Sequence, residues 1–415
     1  MGGWGPAGGI GGIGGIGGIG GIGGIGGIGG IGGIGGIGGI GGIGGIGGIG
    51  GIGGIGGIGG AVAAVGPGPL VTTREGIVGS WVTPAARPTA HPAEPSANWD
   101  DTLERWSPAV RADVFDFELH SRLGFAAEAP QNGEPVARLW HLSVTPNAGG
   151  GKPAASYEAL ARMRRPTDAV LADQLEFLPA YADLRPDRAA EIVAQLAFPI
   201  GFFSTILPLD PGRTPRTLEL LYAALRLAAV AEMRFKAALA VRRPSEYSPQ
   251  VQPIIDVPGH GSLPSGHATE AFTAATVLGE LMRAAAHSTF GTAPWREQLH
   301  TLAARVAVNR TVAGVHFPVD SCAGAVLGTT LGHYFAVRCR AGQGRSIEAR
   351  LFDGSAFPLR SAGEADFHWR DIYDHDAAAP RNTAWCVADG TATLPDEDRS
   401  VPLEWLWSRA KEEWA

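Results

Sequence analysis

Three short stretches of the chain carry side-chain types suited to gripping and attacking an oxyanion. The first holds Lys236 and Arg243, ahead of Pro244. The second is Pro264-Ser265-Gly266-His267-Ala268, and the third runs from Asn309-Arg310 through His316 to Asp320. On a helix, a spacing of seven is two turns, which places both cations of the first stretch on one face near the helix end. Alone, that pair describes a solvated face as well as it describes a site. In the second stretch Ser265 suits a helix N-cap, and Gly266 lets an anion approach backbone N–H groups at the positive end of the helix dipole. His267 then falls in the first turn; taken by itself, the triplet could be a cap carrying a surface histidine. In the third, Gly314 ends one helix and Pro318 opens the next, so His316 sits in a tight corner. Asp320, at about the third position of the new helix, can reach back and accept an imidazole N–H. A histidine held this way has a fixed tautomer and offers its other nitrogen as nucleophile or ligand. Arg310 adds a third cation capable of bidentate contact with a phosphate.

The elements that must position these residues are helices. Thr214 and Pro215 make an N-cap and first-turn pair, followed by an apolar-periodic run to Arg243 that Pro244 stops. Further helices are expected from Ser265 to about residue 286, from about 295 to 313, and from Pro318 to about 337. In the last, Gly324, Gly328 and Gly332 recur every four residues and would let a neighbouring helix approach closely. The expected fold class is therefore all-α, a helical bundle with its catalytic core over residues 186–340. Residues 99–185 read as an N-terminal helical cap. Residues 341–415 read as an extension whose Trp405, Trp407 and Trp414 pack back on the bundle. No transmembrane span is expected: 321–337 is short and contains His333, and the other long helices carry Arg226, Glu232, Arg234, Glu280 and Arg283. The apolar run 192–209 is broken by Gln195, Pro199 and Pro208 and reads as buried core.

Of 415 residues, 64 are glycine, and 39 of those lie in the first 60, where Gly-Gly-Ile repeats seventeen times. One apolar residue in three cannot offset the ordering entropy of two glycines, so 1–60 is expected to be disordered. The absence of proline argues against a collagen helix, although an isoleucine stripe would leave a self-associating tail and a homo-oligomer open. Residues 61–98, rich in Pro and Ala, read as a linker. The net charge of -7 excludes a general nucleic-acid or anionic-membrane binder, so any anion site must be local. Cys322, Cys339 and Cys386 are widely spaced and odd in number, which suits a reduced protein rather than a disulfide framework. The opening MGGWGPAGGI has neither a signal peptide's basic n-region nor its apolar stretch, and Pro6 spoils a myristoylation pattern; a cytoplasmic location is expected.

The three stretches together resemble the superfamily of type 2 phosphatidic acid phosphatases, bacterial class A acid phosphatases and vanadium-dependent haloperoxidases. Its signature is Lys-x6-Arg-Pro, then Pro-Ser-Gly-His, then Ser-Arg-x5-His-x3-Asp, and ten of eleven specified residues stand here in order. The exception is Asn309 in place of Ser. The resemblance implies a helical bundle in which His316 attacks phosphorus and forms a phosphohistidine, Asp320 orients it, and His267 protonates the leaving oxygen and later activates water. It implies that Lys236, Arg243 and Arg310, with Ser265 and the Gly266 N–H, hold the equatorial oxygens of a phosphate ester, lipid or soluble, without a metal ion. Each cation at about 4 Å contributes roughly 4 kcal/mol of gross attraction at an effective dielectric near 20. The same cage would bind vanadate as cofactor, with His316 as axial ligand, so a haloperoxidase stays open beside a phosphatase. A non-catalytic helical scaffold is a further alternative. Outside the motifs, His260 reads as a surface-loop histidine more readily than a pocket residue. Asp371, Asp374 and His375 read as a solvated turn, and Cys322 as a small buried residue.

Overall fold

A computed structural model describes residues 99–415 apart from 132, 146–150, 198–199, 341–344 and 364. The Gly-Gly-Ile repeat and the 61–98 linker lie outside the described residues. The chain divides into two compact units, Met1–Val114 and Phe115–Ala415. Described parts of the first are helix α1, Trp99–Arg105, and the start of α2, Pro108–His120, in which the Arg111 guanidinium donates to the Leu103 carbonyl at 2.8 Å.

The second unit begins with three strands: β1 is Leu123–Gln131, β2 Glu134–Thr145 and β3 Ala154–Arg164. Short helices follow: α3 Asp168–Gln174, α4 Leu178–Ala182, α5 Arg185–Ala194 and α6 Ile200–Phe203. Then come α7 Pro215–Leu239, α8 Pro244–Tyr247, α9 Gly266–Ala284, α10 Ala293–Val312 and α11 Pro318–Arg338. The chain closes with β4 Ser346–Asp353, a small ribbon of β5 Tyr373–Asp374 and β6 Ala379–Pro380, β7 Cys386–Thr393, and α12 Val401–Glu412. The four long helices fall where apolar periodicity and the Thr214, Ser265, Gly314 and Pro318 signals place them.

The all-α expectation is overturned by a five-stranded mixed sheet in the order β1-β2-β3-β4-β7. All neighbours are antiparallel except β3 and β4, which run parallel. The sheet draws on both flanks of the helical core, from the stretch read as a helical cap and from the C-terminal extension. Its strands are hidden by composition. β3 reads AASYEALARMR, mostly residues that favour helices, and the inward positions of β2 include Ala137, His141 and Ser143 rather than an apolar row. Pairing across the sheet overrides local propensity here.

A polar contact ties sheet to bundle. Buried His141 on β2 reaches the Tyr334 hydroxyl of α11 at 2.9 Å and the Asp398 carboxylate at 3.1 Å. At the C-terminus the Glu413 carboxylate accepts from the Arg216 and Thr217 N–H groups at the start of α7, and the Trp414 indole N–H donates to the Thr217 hydroxyl at 2.8 Å. Trp414 thus meets the start of α7, and Trp405 and Trp407 on α12 are buried.

Helices α9 and α11 pack through the glycine face. A methyl group on Gly324 would lie 2.7 Å from the Ala268 Cβ and 2.7 Å from the Ser265 carbonyl, and one on Gly328 would collide with the Thr269 backbone. This approach brings the N-terminus of α9 against the N-terminus of α11, where His267 and Asp320 stand. Gly328→Ala should therefore cost about 1–3 kcal/mol of stability, because the atom it meets is backbone and cannot rotate away. A urea midpoint unchanged from wild type would contradict the close approach.

Candidate active site

The chain conformation, not one helix face, brings Lys236 and Arg243 together. α7 ends at Leu239, and Ala240 adopts a left-handed conformation at φ 48° that turns the chain before Arg243. Arg243 sits in extended backbone as the N-cap of α8, and Glu246 accepts its N–H at 2.7 Å. The expectation that both cations project from the same helix face is thus corrected. They nevertheless converge. The Lys236 ammonium donates to the Pro264 carbonyl in the second motif, and Arg243 Nη1 donates to His316 Nε2 at 3.0 Å in the third. The Ser265 N–H donates to the Asp320 carbonyl at 2.9 Å, joining the second motif to the third. Ser265 caps α9 as its type suggests, with its hydroxyl accepting from the Ala268 N–H.

His316 lies in the corner that Gly314 and Pro318 delimit. Gly314 has φ 85°, and Arg185 braces the corner by donating to the Val312, Val251 and Gln252 carbonyls, each at 2.9 Å. Asp320 Oδ2 accepts from the Phe317 N–H at 2.9 Å and from His316 Nδ1 at 3.0 Å. A guanidinium has no acceptor, so the contact from Arg243 requires His316 Nε2 to be the unprotonated nitrogen. The proton then sits on Nδ1, facing Asp320. Burial, with Arg243 and Lys236 beside it, holds the His316 pKa well below the ordinary value, so the ring is a neutral base with its lone pair toward the cations. Burial raises Asp320 to about 6, opposed by the Phe317 N–H, Arg243 and Lys236.

Arg310 closes the cage from the last turn of α10. It is 1% exposed; Nη2 donates to the Ile192 carbonyl at 3.2 Å and to Gln195 Oε1 at 3.1 Å, while Nε and Nη1 have no hydrogen-bond partner among the described residues. Burial lowers its pKa to about 10, which leaves it cationic at neutral pH. Two unpaired donors on a buried cation are what a tetrahedral oxyanion would satisfy. His267 stands nearby with Nε2 2.7 Å from the Gln195 carbonyl, an arrangement that places its proton on Nε2; burial, then Arg310, push its pKa down to about 3.

Several residues of this site are not evident from the motifs alone. His260 is not a surface bystander: its carbonyl accepts from Arg243 Nε at 3.1 Å and its Nδ1 lies 3.2 Å from Arg243 Nη2. Glu232, one turn before Lys236 on α7, is 4% exposed, and its Oε2 has no hydrogen-bond partner among the described residues. Burial raises its pKa, and that of Glu270 on α9. A methyl group on Gly266 would lie 2.5 Å from Glu232 Oε1, so glycine is required there by a packed carboxyl as well as by any approaching anion. The i, i+4 spacing of Glu232 and Lys236 is the signal that could have found it. Asn309, the departure from the signature, faces α5: its Nδ2 donates to Glu191 Oε1 and Gln195 Oε1, both at 2.9 Å.

The remaining sequence candidates stay apart from the cage. Asp374 accepts from the Asp376 and Ala377 N–H groups in a turn and pairs with Arg381 at 2.6 Å; the His375 carbonyl accepts from Arg296. Cys322 is buried on α11, and all three cysteines are free thiols. No helix among the described residues is long and apolar enough to cross a membrane.

The family model of the PAP2 superfamily matches residues 216–343, which contain all three motifs and helices α7 to α11. The match bears out the resemblance read from the motifs and supports phosphatase-type chemistry for this segment. No curated protein matches the chain.

The hydrogen-bond pattern predicts a neutral His316 with the proton on Nδ1 near pH 6 and above, whereas a free histidine is about half protonated near pH 6.5. Nitrogen-15 spectra of histidine-labelled protein should show this. An imidazolium at position 316 near pH 6 would contradict the assignment.

Proposed function

We propose that the protein is a phosphatase that hydrolyses a phosphate monoester, lipid or small soluble, through a phosphohistidine at His316 and without a metal ion. The observation that carries this reading is the buried His316 whose Nε2 lone pair lies among the cations while Nδ1 is held by Asp320. In the first half-reaction the hydrogen bond from Arg243 Nη1 to His316 Nε2 breaks as Nη1 turns to a phosphoryl oxygen. The freed Nε2 lone pair attacks phosphorus and the bond to the leaving oxygen breaks, with Asp320 accepting a hydrogen bond from Nδ1–H so that the ring can carry the developing charge. His267 delivers a proton to the leaving oxygen. Its low pKa reflects burial beside Arg310; the negative charge of a bound phosphate offsets those cations and favours the protonated imidazole. In the second half-reaction His267 takes a proton from water, which displaces Nε2 and releases inorganic phosphate.

Arg310 supplies Nε and Nη1, and Ser265 and the Gly266 N–H add donors at the α9 terminus. Lys236 and Arg243 spend part of their donors bracing the Ser262, Pro264 and Val315 carbonyls, which fixes their positive charge beside the site, while the Arg243 donor on His316 Nε2 is the one that passes to the phosphoryl group. The same donors fit vanadate, whose oxygens would meet the groups that meet a phosphoryl group; bound, it would supply the peroxide activation of a haloperoxidase.

Hydrolysis of p-nitrophenyl phosphate in a metal-chelated, vanadate-free buffer tests the proposal. We expect turnover, inhibition by vanadate, and a loss of about 1000-fold or more in His316→Ala. Full activity in that variant would sink His316 as the nucleophile, and wild-type protein with neither hydrolysis nor halide oxidation would favour a scaffold. Halide oxidation with vanadate and peroxide, without phosphatase turnover, would replace it with the haloperoxidase.

A further inference from the structure

Gln195 is buried and touches two of the groups assigned above to the reacting phosphate. Its main-chain carbonyl faces His267 Nε2 at 2.7 Å, and its side-chain Oε1 accepts from Arg310 Nη2 at 3.1 Å. One residue thus presents two oxygens to the proposed general acid and to the arginine that binds phosphate, as two oxygens of a bound ester would. Its amide orientation is fixed, because Nε2 donates to Glu191 Oε1 at 3.0 Å.

Asn309 holds this residue in place through its Nδ2 contacts to Gln195 and Glu191, and its Oδ1 accepts from Arg188 Nη1 at 2.8 Å. Glu191 is held in turn by Arg305, which donates through Nε at 2.8 Å and Nη2 at 2.6 Å. A serine, the family's usual residue here, has one hydroxyl and could not make these three contacts together. On the outer side of the cluster lies a cavity of about 840 Å³ whose walls include Arg188, Arg305, Val308, Phe367, Trp369 and Arg370. Arg188 and Arg305 belong to both cavity wall and cluster, so the cluster that holds Gln195 borders the cavity on one side and meets Arg310 on the other.

We propose that Gln195 is a latch on the oxyanion cage, held shut by Asn309 and displaced by the substrate's phosphoryl oxygens, and that its release opens the cage to the aromatic and arginine-lined cavity. The substrate this fits is a phosphate monoester with an apolar or aromatic leaving group: the phosphoryl group takes Arg310 Nε and Nη1 together with the donors that Gln195 occupies, and the leaving group takes the cavity. Gln195 acts through Arg310 and His267 and is a positioning residue. The inference rests on the proposed function, because it assumes that the cage binds a phosphoryl group.

Vanadate affinity, measured by calorimetry, tests the latch apart from turnover. In Gln195→Ala, and in the conservative Asn309→Ser, the anion no longer competes with a held amide, and the dissociation constant should fall about tenfold, roughly 1.4 kcal/mol. Val308→Trp, which fills the cavity beside the latch, should raise KM for p-nitrophenyl phosphate at least about fivefold while leaving KM for glycerol phosphate and the vanadate constant unchanged. A merely structural Gln195 would lower the melting temperature of Gln195→Ala and leave vanadate affinity as in wild type, which would overturn the proposal. Weaker vanadate binding in Gln195→Ala would also overturn it, by making Gln195 a ligand of the anion. Vanadate binding to wild type that His316→Ala does not weaken would instead remove the proposed function itself, and the latch with it.

Discussion

The site depends on one buried hydrogen-bonded line, Asp320–His316–Arg243. Its polarity is forced at both ends. A carboxylate that already accepts a backbone N–H at one side and a guanidinium that can only donate at the other leave the imidazole a single consistent protonation state. Lys236 and Ser265 join the second motif to this line, through the Pro264 carbonyl and the Asp320 carbonyl. The line also explains why His316 can be both neutral and surrounded by cations: its pKa is lowered by the burial and charge that would stabilise a negatively charged partner.

Holding that line requires backbone devices at some distance from it. The left-handed turn at Ala240 redirects the chain so that Arg243 reaches the corner of the third motif rather than continuing along α7. The corner is fixed from outside by Arg185, whose three donors end on three main-chain carbonyls. The glycine face of α11 lets α9 lie close enough for the Ser265 N–H to meet the Asp320 carbonyl. The sheet contributes through His141, which fixes the far end of α11 by its contact with Tyr334. The helices therefore carry the motif residues, and the sheet steadies the helix that carries Asp320.

The convergence of the three motifs is legible in the sequence because their residues obey local rules: a cap at Ser265, a stop at Gly314, a start at Pro318, and a carboxylate placed to reach back to His316. The four long helices were legible for the same reason. The sheet was not, since β3 is written in alanine, glutamate, leucine and arginine, and its strand state comes from neighbours distant in sequence. The position of Arg243 was misjudged because seven-residue spacing implies a shared face only while the helix lasts, and nothing in Ala240 itself announces a left-handed residue. His260 and Gln195 are single polar residues in loops or apolar runs, and their partners become visible only in three dimensions. Asn309 was noted as a departure from a motif, and its meaning lies in α5, which no motif contains.

Radiolabelled substrate, quenched in alkali where a phosphorylated imidazole survives, tests the central claim most directly. The account predicts a covalent label that maps to His316, disappears in His316→Ala and, with an activated ester whose leaving oxygen needs no proton, accumulates when His267 is replaced. A label on another residue, or turnover with no covalent label at all, would contradict it.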